Sequence, residues 1–138
     1  MGLDTTHDAW HGPYSAFSRL RNTLAEAAGY QVKDYEYADG WTGRSAQVVA
    51  EGDWAVENYA GEWNGHPPED PLLILLVHSD CDGQIEADHC RFLAVRLRQI
   101  VEAGLPDGPE RDRWIEAALE FADGCDLAAS NGEPLEFR

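Results

Sequence analysis

Lysine is almost absent from this chain: Lys33 stands alone against nine arginines. Ten basic residues face 26 acidic ones, for a formal charge of −16. That shortage of positive charge argues against direct binding to nucleic acid or to anionic membranes, because either approach would begin in repulsion. Long apolar runs are missing too. The longest, Leu72 to Val77, is six residues, far short of the roughly 20 that a membrane-crossing helix needs. The stretch from Met1 to Trp10 has no basic segment followed by an apolar run, so it does not read as a secretory leader. Cysteine occurs three times (Cys81, Cys90, Cys125), an odd count at scattered spacing, which speaks against a secreted disulfide framework. These absences predict a cytoplasmic protein.

What is present predicts a folded core. Hydrophobic residues make up 43% of the chain, with five Trp, five Tyr and four Phe, too many for a disordered segment. The length of 138 residues fits a single domain spanning 1–138. A chain of this size buries about 68–70% of its unfolded surface without needing covalent staples.

Three amphipathic helices are legible. Tyr14, Phe17, Leu20, Leu24 and Ala28 recur at three- and four-residue steps between Pro13 and Gly29, leaving Arg19 and Arg21 on the solvent side. Cys90, Leu93, Leu97, Ile100 and Val101 form the stripe of a helix over 86–103, ended by Gly104 and Pro106. Trp114, Ala118, Phe121, Cys125 and Ala128 do the same over 109–130, with Asn131-Gly132 as the stop. Leu72–Val77 is apolar on all sides, so periodicity does not choose between helix and strand. Asp70-Pro71 before it is a helix start, and leucine dominance points the same way. The expected class is therefore mainly α, with about four helices and minor strands near Val32 and Leu135–Phe137. Residues 1–12 read as a loose polar lead-in. Residues 38–69 read as a long, acidic, aromatic-rich loop or insertion, with Ala46–Ala50 a candidate helical turn. From Ser45 to Cys90 there are ten Asp or Glu and no Lys or Arg. Trp54 and Trp63 in that stretch either cap the core or anchor a partner, a role tryptophan favours.

The segment that can carry chemistry is His78-Ser79-Asp80-Cys81-Asp82-Gly83-Gln84-Ile85-Glu86-Ala87-Asp88-His89. Asp80 and Asp82, two apart and followed by a glycine that permits a sharp bend, can converge on one hard cation such as Ca²⁺, Mg²⁺ or Mn²⁺. Gln84, Glu86 and Asp88 would add oxygen ligands, with His78 at the rim. The plain structural alternative is a helix–turn–helix joint in which Asp80 or Asp82 caps the next helix.

This segment resembles the EF-hand loop. With Gly83 on that loop's glycine, Asp80 and Asp82 take its third and fifth ligand places, Gln84 its backbone carbonyl, and Glu86 its water-bridged place. His78 replaces the loop's first Asp and His89 its closing glutamate, which implies weak Ca²⁺ binding. The segment is also similar to the first motif of DHH-type phosphoesterases, an apolar strand running into His-x-Asp-x-Asp-Gly. That likeness implies a metal-dependent phosphoesterase using His78, Asp80 and Asp82; the later Asp-His-His motif is absent. A third likeness is to the start of haloacid dehalogenases, with Asp80 as nucleophile, Asp82 as acid/base, and Gln84 where Thr or Ser is usual. Over most of its length the chain resembles short acidic proteins of actinobacteria and their phages carrying the His78–Gly83 motif with Ile85, a likeness that implies origin and no mechanism.

His78, Cys81, Cys90 and Cys125 could in principle form a Cys₃His zinc site. The gaps are irregular, however, and Cys90 and Cys125 lie on apolar stripes, which favours facing core cysteines over zinc. A Cys81–His78 catalytic pair is opposed by Asp80 and Asp82, which would raise the thiol's pKa. His7, His11 and His66 fall in polar segments and are expected in solvent. The sequence thus predicts a small acidic binding or regulatory protein, with a divalent-cation turn and a basic protein as partner. Its rivals are the phosphoesterase and a phage-type inhibitor whose acidic face imitates nucleic acid. The oligomeric state is left open.

Overall fold

The computed structural model describes residues 2–36, 42–47, 70–76 and 83–138, with the backbone alone described in 31–36 and 42–47. The fold is mainly α. Among the described residues there are four α-helices: α1 (Tyr14–Ala27), α2 (Leu72–Leu76), α3 (Ala87–Ala103) and α4 (Arg111–Asn131). Around them lie three two-stranded antiparallel sheets, pairing β1 (Gly2–Asp4) with β2 (His11–Pro13), β3 (Gln31–Glu36) with β4 (Thr42–Gln47), and β5 (Gln84–Ile85) with β6 (Leu135–Glu136). No described helix is long and apolar enough to cross a membrane.

The helices follow from their stripes. Phe17, Leu20 and Leu24 of α1, Cys90, Leu93, Leu97 and Ile100 of α3, and Trp114, Ala118, Phe121, Cys125 and Ala128 of α4 are all buried in one core. Two helices end in the same way, for the same reason. Gly29 (φ 93) and Gly132 (φ 66) adopt left-handed backbone, which L side chains resist. At α1, Gly29 N–H donates to Glu26 O and Tyr30 N–H to Ala25 O; at α4, Gly132 N–H donates to Ala129 O and Glu133 N–H to Ala128 O. These paired bonds satisfy carbonyls that a helix end otherwise leaves open.

The apolar run at 72 is a helix. Asp70 provides the reason: its side chain accepts the Leu72 N–H at 3.0 Å, an N-terminal cap. Leu72 to Leu75 are buried. Arg21, expected in solvent, is half-buried. Its guanidinium donates to Leu75 O at 3.2 Å and lies 4.9 Å from the Phe17 ring centroid. The short helix leaves carbonyls unsatisfied at its end, and the arginine stem can lie along apolar surface while reaching them. Arg19 is exposed as expected, over the Trp114 ring.

The largest departure from the sequence reading lies at the start. Residues 2–13 form a hairpin, not a loose lead-in, with Gly2 opposite Pro13 and Asp4 opposite His11. Leu3 and Ala9 are buried, and Trp10 packs on Phe17 with ring centroids 5.3 Å apart. At the hairpin's tip the 3-10 turn Thr6–Asp8 holds His7 (φ 62) and Asp8 (φ 54) in left-handed backbone uncommon for such residues. The C-terminal segment locks it in place. Asp4 and Arg138 exchange backbone bonds, Thr5 bridges Phe137, and Glu136 N–H donates to the Thr6 hydroxyl. Gly124 lets the hairpin approach α4: a Cβ at that position would lie 2.5 Å from Ala9 Cβ and 2.8 Å from Ala9 Cα.

A strand near Val32 is present, as part of the β3–β4 hairpin. Ala46 lies in β4 opposite Val32, so the helical turn expected at Ala46–Ala50 does not begin there. Residues 48–50, and the rest of the 38–69 section apart from β4, fall outside the described residues.

Candidate metal centre at the 78–89 turn

His78, Asp80 and Asp82 lie outside the described residues, as do Cys81, Trp54, Trp63 and His66. The second half of the turn is described, and its geometry starts from Gly83 (φ 89), which turns the chain into β5. Phe137 N–H donates to Gly83 O at 2.9 Å. In an antiparallel ladder, bonded and non-bonded pairs alternate. The Gln84–Glu136 pair is therefore the non-bonded one, and the backbone groups of Gln84 face away from β6. Glu136 obeys the same rule, with its N–H turned to the Thr6 hydroxyl at 2.9 Å. The Gln84 carbonyl thus points away from β6, while Ile85 beside it is buried.

Glu86 is the residue before α3 and is exposed. Its carboxylate accepts the Gln84 side-chain amide at 2.8 Å, which holds it back over β5. Asp88 is exposed in the first turn of α3, where the helix dipole favours a negative charge. His89, two residues into α3 from Ala87, is only 7% exposed. Among the described residues no three His, Cys, Asp or Glu side chains group as a metal site. The phosphoesterase and dehalogenase likenesses both require an apolar strand before the aspartates. Residues 72–76 are helix instead.

Other polar clusters went unread in the sequence. Asp70, besides capping α2, accepts Arg96 Nε at 2.9 Å and the Tyr30 hydroxyl at 2.8 Å, tying α2 to α3 and to the end of α1. Burial pushes the Asp70 carboxyl up. The bonds from Arg96, the Leu72 N–H and Tyr30 outweigh it and leave the carboxyl below its ordinary value. The Asp-Pro dipeptide was the available signal for this node; nothing local announced Arg96. His11, exposed as expected, is bracketed by Asp4 Oδ1 at 2.9 Å and Asp8 Oδ1 at 3.2 Å, which raise its pKa. His7, expected in solvent, is largely covered and bonds to the Thr6 hydroxyl at 2.8 Å and to Glu133 at 3.3 Å. A cleft of about 340 Å³ between α1 and α4, lined by Arg19, Asn22, Glu26, Glu110 and Trp114 among others, carries both signs of charge.

Comparison of the chain with protein-family models, with curated proteins and with solved structures finds no match.

Proposed function

We propose that this chain is a small acidic binding or regulatory protein whose 78–89 turn holds a divalent cation, Ca²⁺, Mg²⁺ or Mn²⁺. The observation that carries the reading is the exposed Glu86 carboxylate, held over β5 at the start of α3 by the Gln84 side-chain amide at 2.8 Å. A hard cation takes six to eight oxygens, backbone carbonyls included. Gln84 and Glu86 would supply two such oxygens to a site anchored by Asp80 and Asp82, with Asp88 in support and His78 at the rim. Helix α2 before the turn and α3 after it also suit a binding loop better than a catalytic strand end.

A cation held only by the folded state raises stability, by about 1.4 kcal/mol at tenfold its Kd. Millimolar Ca²⁺ or Mn²⁺ should therefore raise the melting temperature of the wild type, and D80N/D82N should lose the rise. An equal rise in the double variant would show that the ion merely screens the −16 charge, and the site would be withdrawn. The same charge, with ten carboxylates and no Lys or Arg between Ser45 and Cys90, supports a basic protein as partner, steered by electrostatics.

A further inference from the structure

Four large apolar side chains stay exposed among the described residues, and all four are on the α3–α4 pair: Phe92, Val95 (52% exposed), Leu119 (37%) and Leu127 (49%). Two contacts fix how they lie. β5, just before α3, pairs with β6, just after α4, so the helices run antiparallel with the start of α3 beside the end of α4. Arg98 of α3 reaches Asp123 of α4 at 2.8 Å and also pairs with Asp126, which sets the register. Residues three or four apart are neighbours on a helix surface. Val95 is therefore one turn from Arg98 towards the start of α3, and Leu127 one turn from Asp123 towards the end of α4, at the same end of the pair. Leu119 is one turn from Asp123 in the other direction. The three border the Arg98 bridge along the seam between the helices, and Phe92 extends the patch beyond Val95. At 1.5 Å per residue, Leu119 and Leu127 stand about 12 Å apart along α4.

The rim of the seam is acidic. Asp112, Glu116, Glu120 and Asp123 follow at three- and four-residue steps along the exposed side of α4. Against them stand Arg91 and Arg98 on α3, the latter already shared by two carboxylates. We propose that this seam docks a basic amphipathic helix of a partner protein. The docking presupposes the basic partner proposed above and gives it a place on the fold. A second copy of the chain, with its charge of −16, would bring carboxylate against carboxylate, which like-charge repulsion opposes. A helix with lysines or arginines beside an apolar stripe meets both features at once. Apolar residues two turns apart on it match the spacing of Leu119 and Leu127, and its basic residues meet Glu116 and Glu120. Electrostatics then speed the encounter, and burial of the leucines and Val95 holds the complex.

The test uses the full ¹⁵N-labelled chain and two synthetic peptides of leucine and lysine, each about five turns long if helical. One carries its leucines on a single helical face; the control has the same composition with its leucines spread around the helix. At low salt the amphipathic peptide should bind more tightly than the control and shift amides within 91–98 and 116–130. V95Q/L127Q changes two exposed positions and should keep the melting temperature, yet weaken the amphipathic peptide by about tenfold and leave the control unchanged. Equal affinity for the two peptides, shifts lying elsewhere on the chain, or undiminished affinity in the double variant would each overturn the docking site and leave the basic partner standing. Self-association of the chain through the same amides would overturn it in favour of a second copy. Binding of neither peptide at low salt would end both the docking site and the basic partner.

Discussion

Adding one methyl group at Gly124 separates two opposing effects of known size. In an exposed helix, Gly to Ala stabilises by about 1 kcal/mol, because alanine loses less backbone entropy on folding. Here the new Cβ would lie 2.5 Å from Ala9 Cβ, 2.8 Å from Ala9 Cα and 3.1 Å from Ala9 N. Those are backbone atoms and a methyl, with no rotamer to turn aside, so the 2–13 hairpin must move as a body. Overpacking of this kind costs about 1–3 kcal/mol. With two contacts under 3.0 Å the upper half of that range applies, leaving Gly124→Ala about 1–2 kcal/mol less stable. At about 2.1 cal/mol/K per residue, the 138-residue chain has an unfolding entropy near 0.29 kcal/mol/K, so the melting temperature should fall by about 3–7 °C. Adding Ala9→Gly removes the closest contact and leaves the Cα one, and should restore part of the loss. Differential scanning calorimetry of the wild type and the two variants decides the matter. A rise of about 3 °C in Gly124→Ala, the helix-propensity value alone, would mean that the hairpin does not pack against α4, and the placement of residues 2–13 would be wrong.

Two further outcomes test the structure elsewhere. Asp70→Asn leaves the Arg96 guanidinium, 27% exposed, without its carboxylate, and should cost about 1–3 kcal/mol at pH 7. Because the folded-state pKa lies below 3.8, that advantage is complete above 3.8 and fades as pH falls through the folded value. Urea midpoints of the two proteins should therefore converge in acid, and a gap unchanged from pH 7 to pH 2 would refute the ion-pair account. For the partner, low-salt capture from a host lysate should recover a basic protein, less of it with Trp54→Ala or Trp63→Ala. Capture of an acidic protein, or binding indifferent to half-molar salt, would end the electrostatic reading.

The three long helices were legible because each writes its buried face at three- and four-residue steps and closes on a glycine, as Leu20, Leu24 and Gly29 do in α1. The apolar run at 72–76 has no such period; only its Asp-Pro preface distinguished helix from strand, and Asp70 caps it as that preface implies. The hairpin was illegible for a different reason. Leu3, Ala9 and Trp10 are too few and too spaced to make a pattern, and what orders them is distant: Gly124, Phe137 and Arg138. The turn stands out as a candidate by residue type, since Asp80-x-Asp82-Gly83 is the kind of run that suits a hard cation. The direction of the Gln84 carbonyl could not be read there, because it depends on pairing with Leu135 and Glu136, some fifty positions on.

The strap formed by residues 135–138 lies against β5 on one side and the first hairpin on the other. The Glu136–Thr6 bond alone spans 130 positions. Contacts of that reach form late, because the closure entropy must be spent before they return anything. While the chain is being made, the helices can assemble in turn, but Ile85 lacks its partner Leu135, and Asp4 and Thr5 lack Arg138 and Phe137, until residues 135–138 have left the ribosome. Unfinished chains at that stage are the more prone to aggregate, and the charge of −16 opposes it by repulsion between copies.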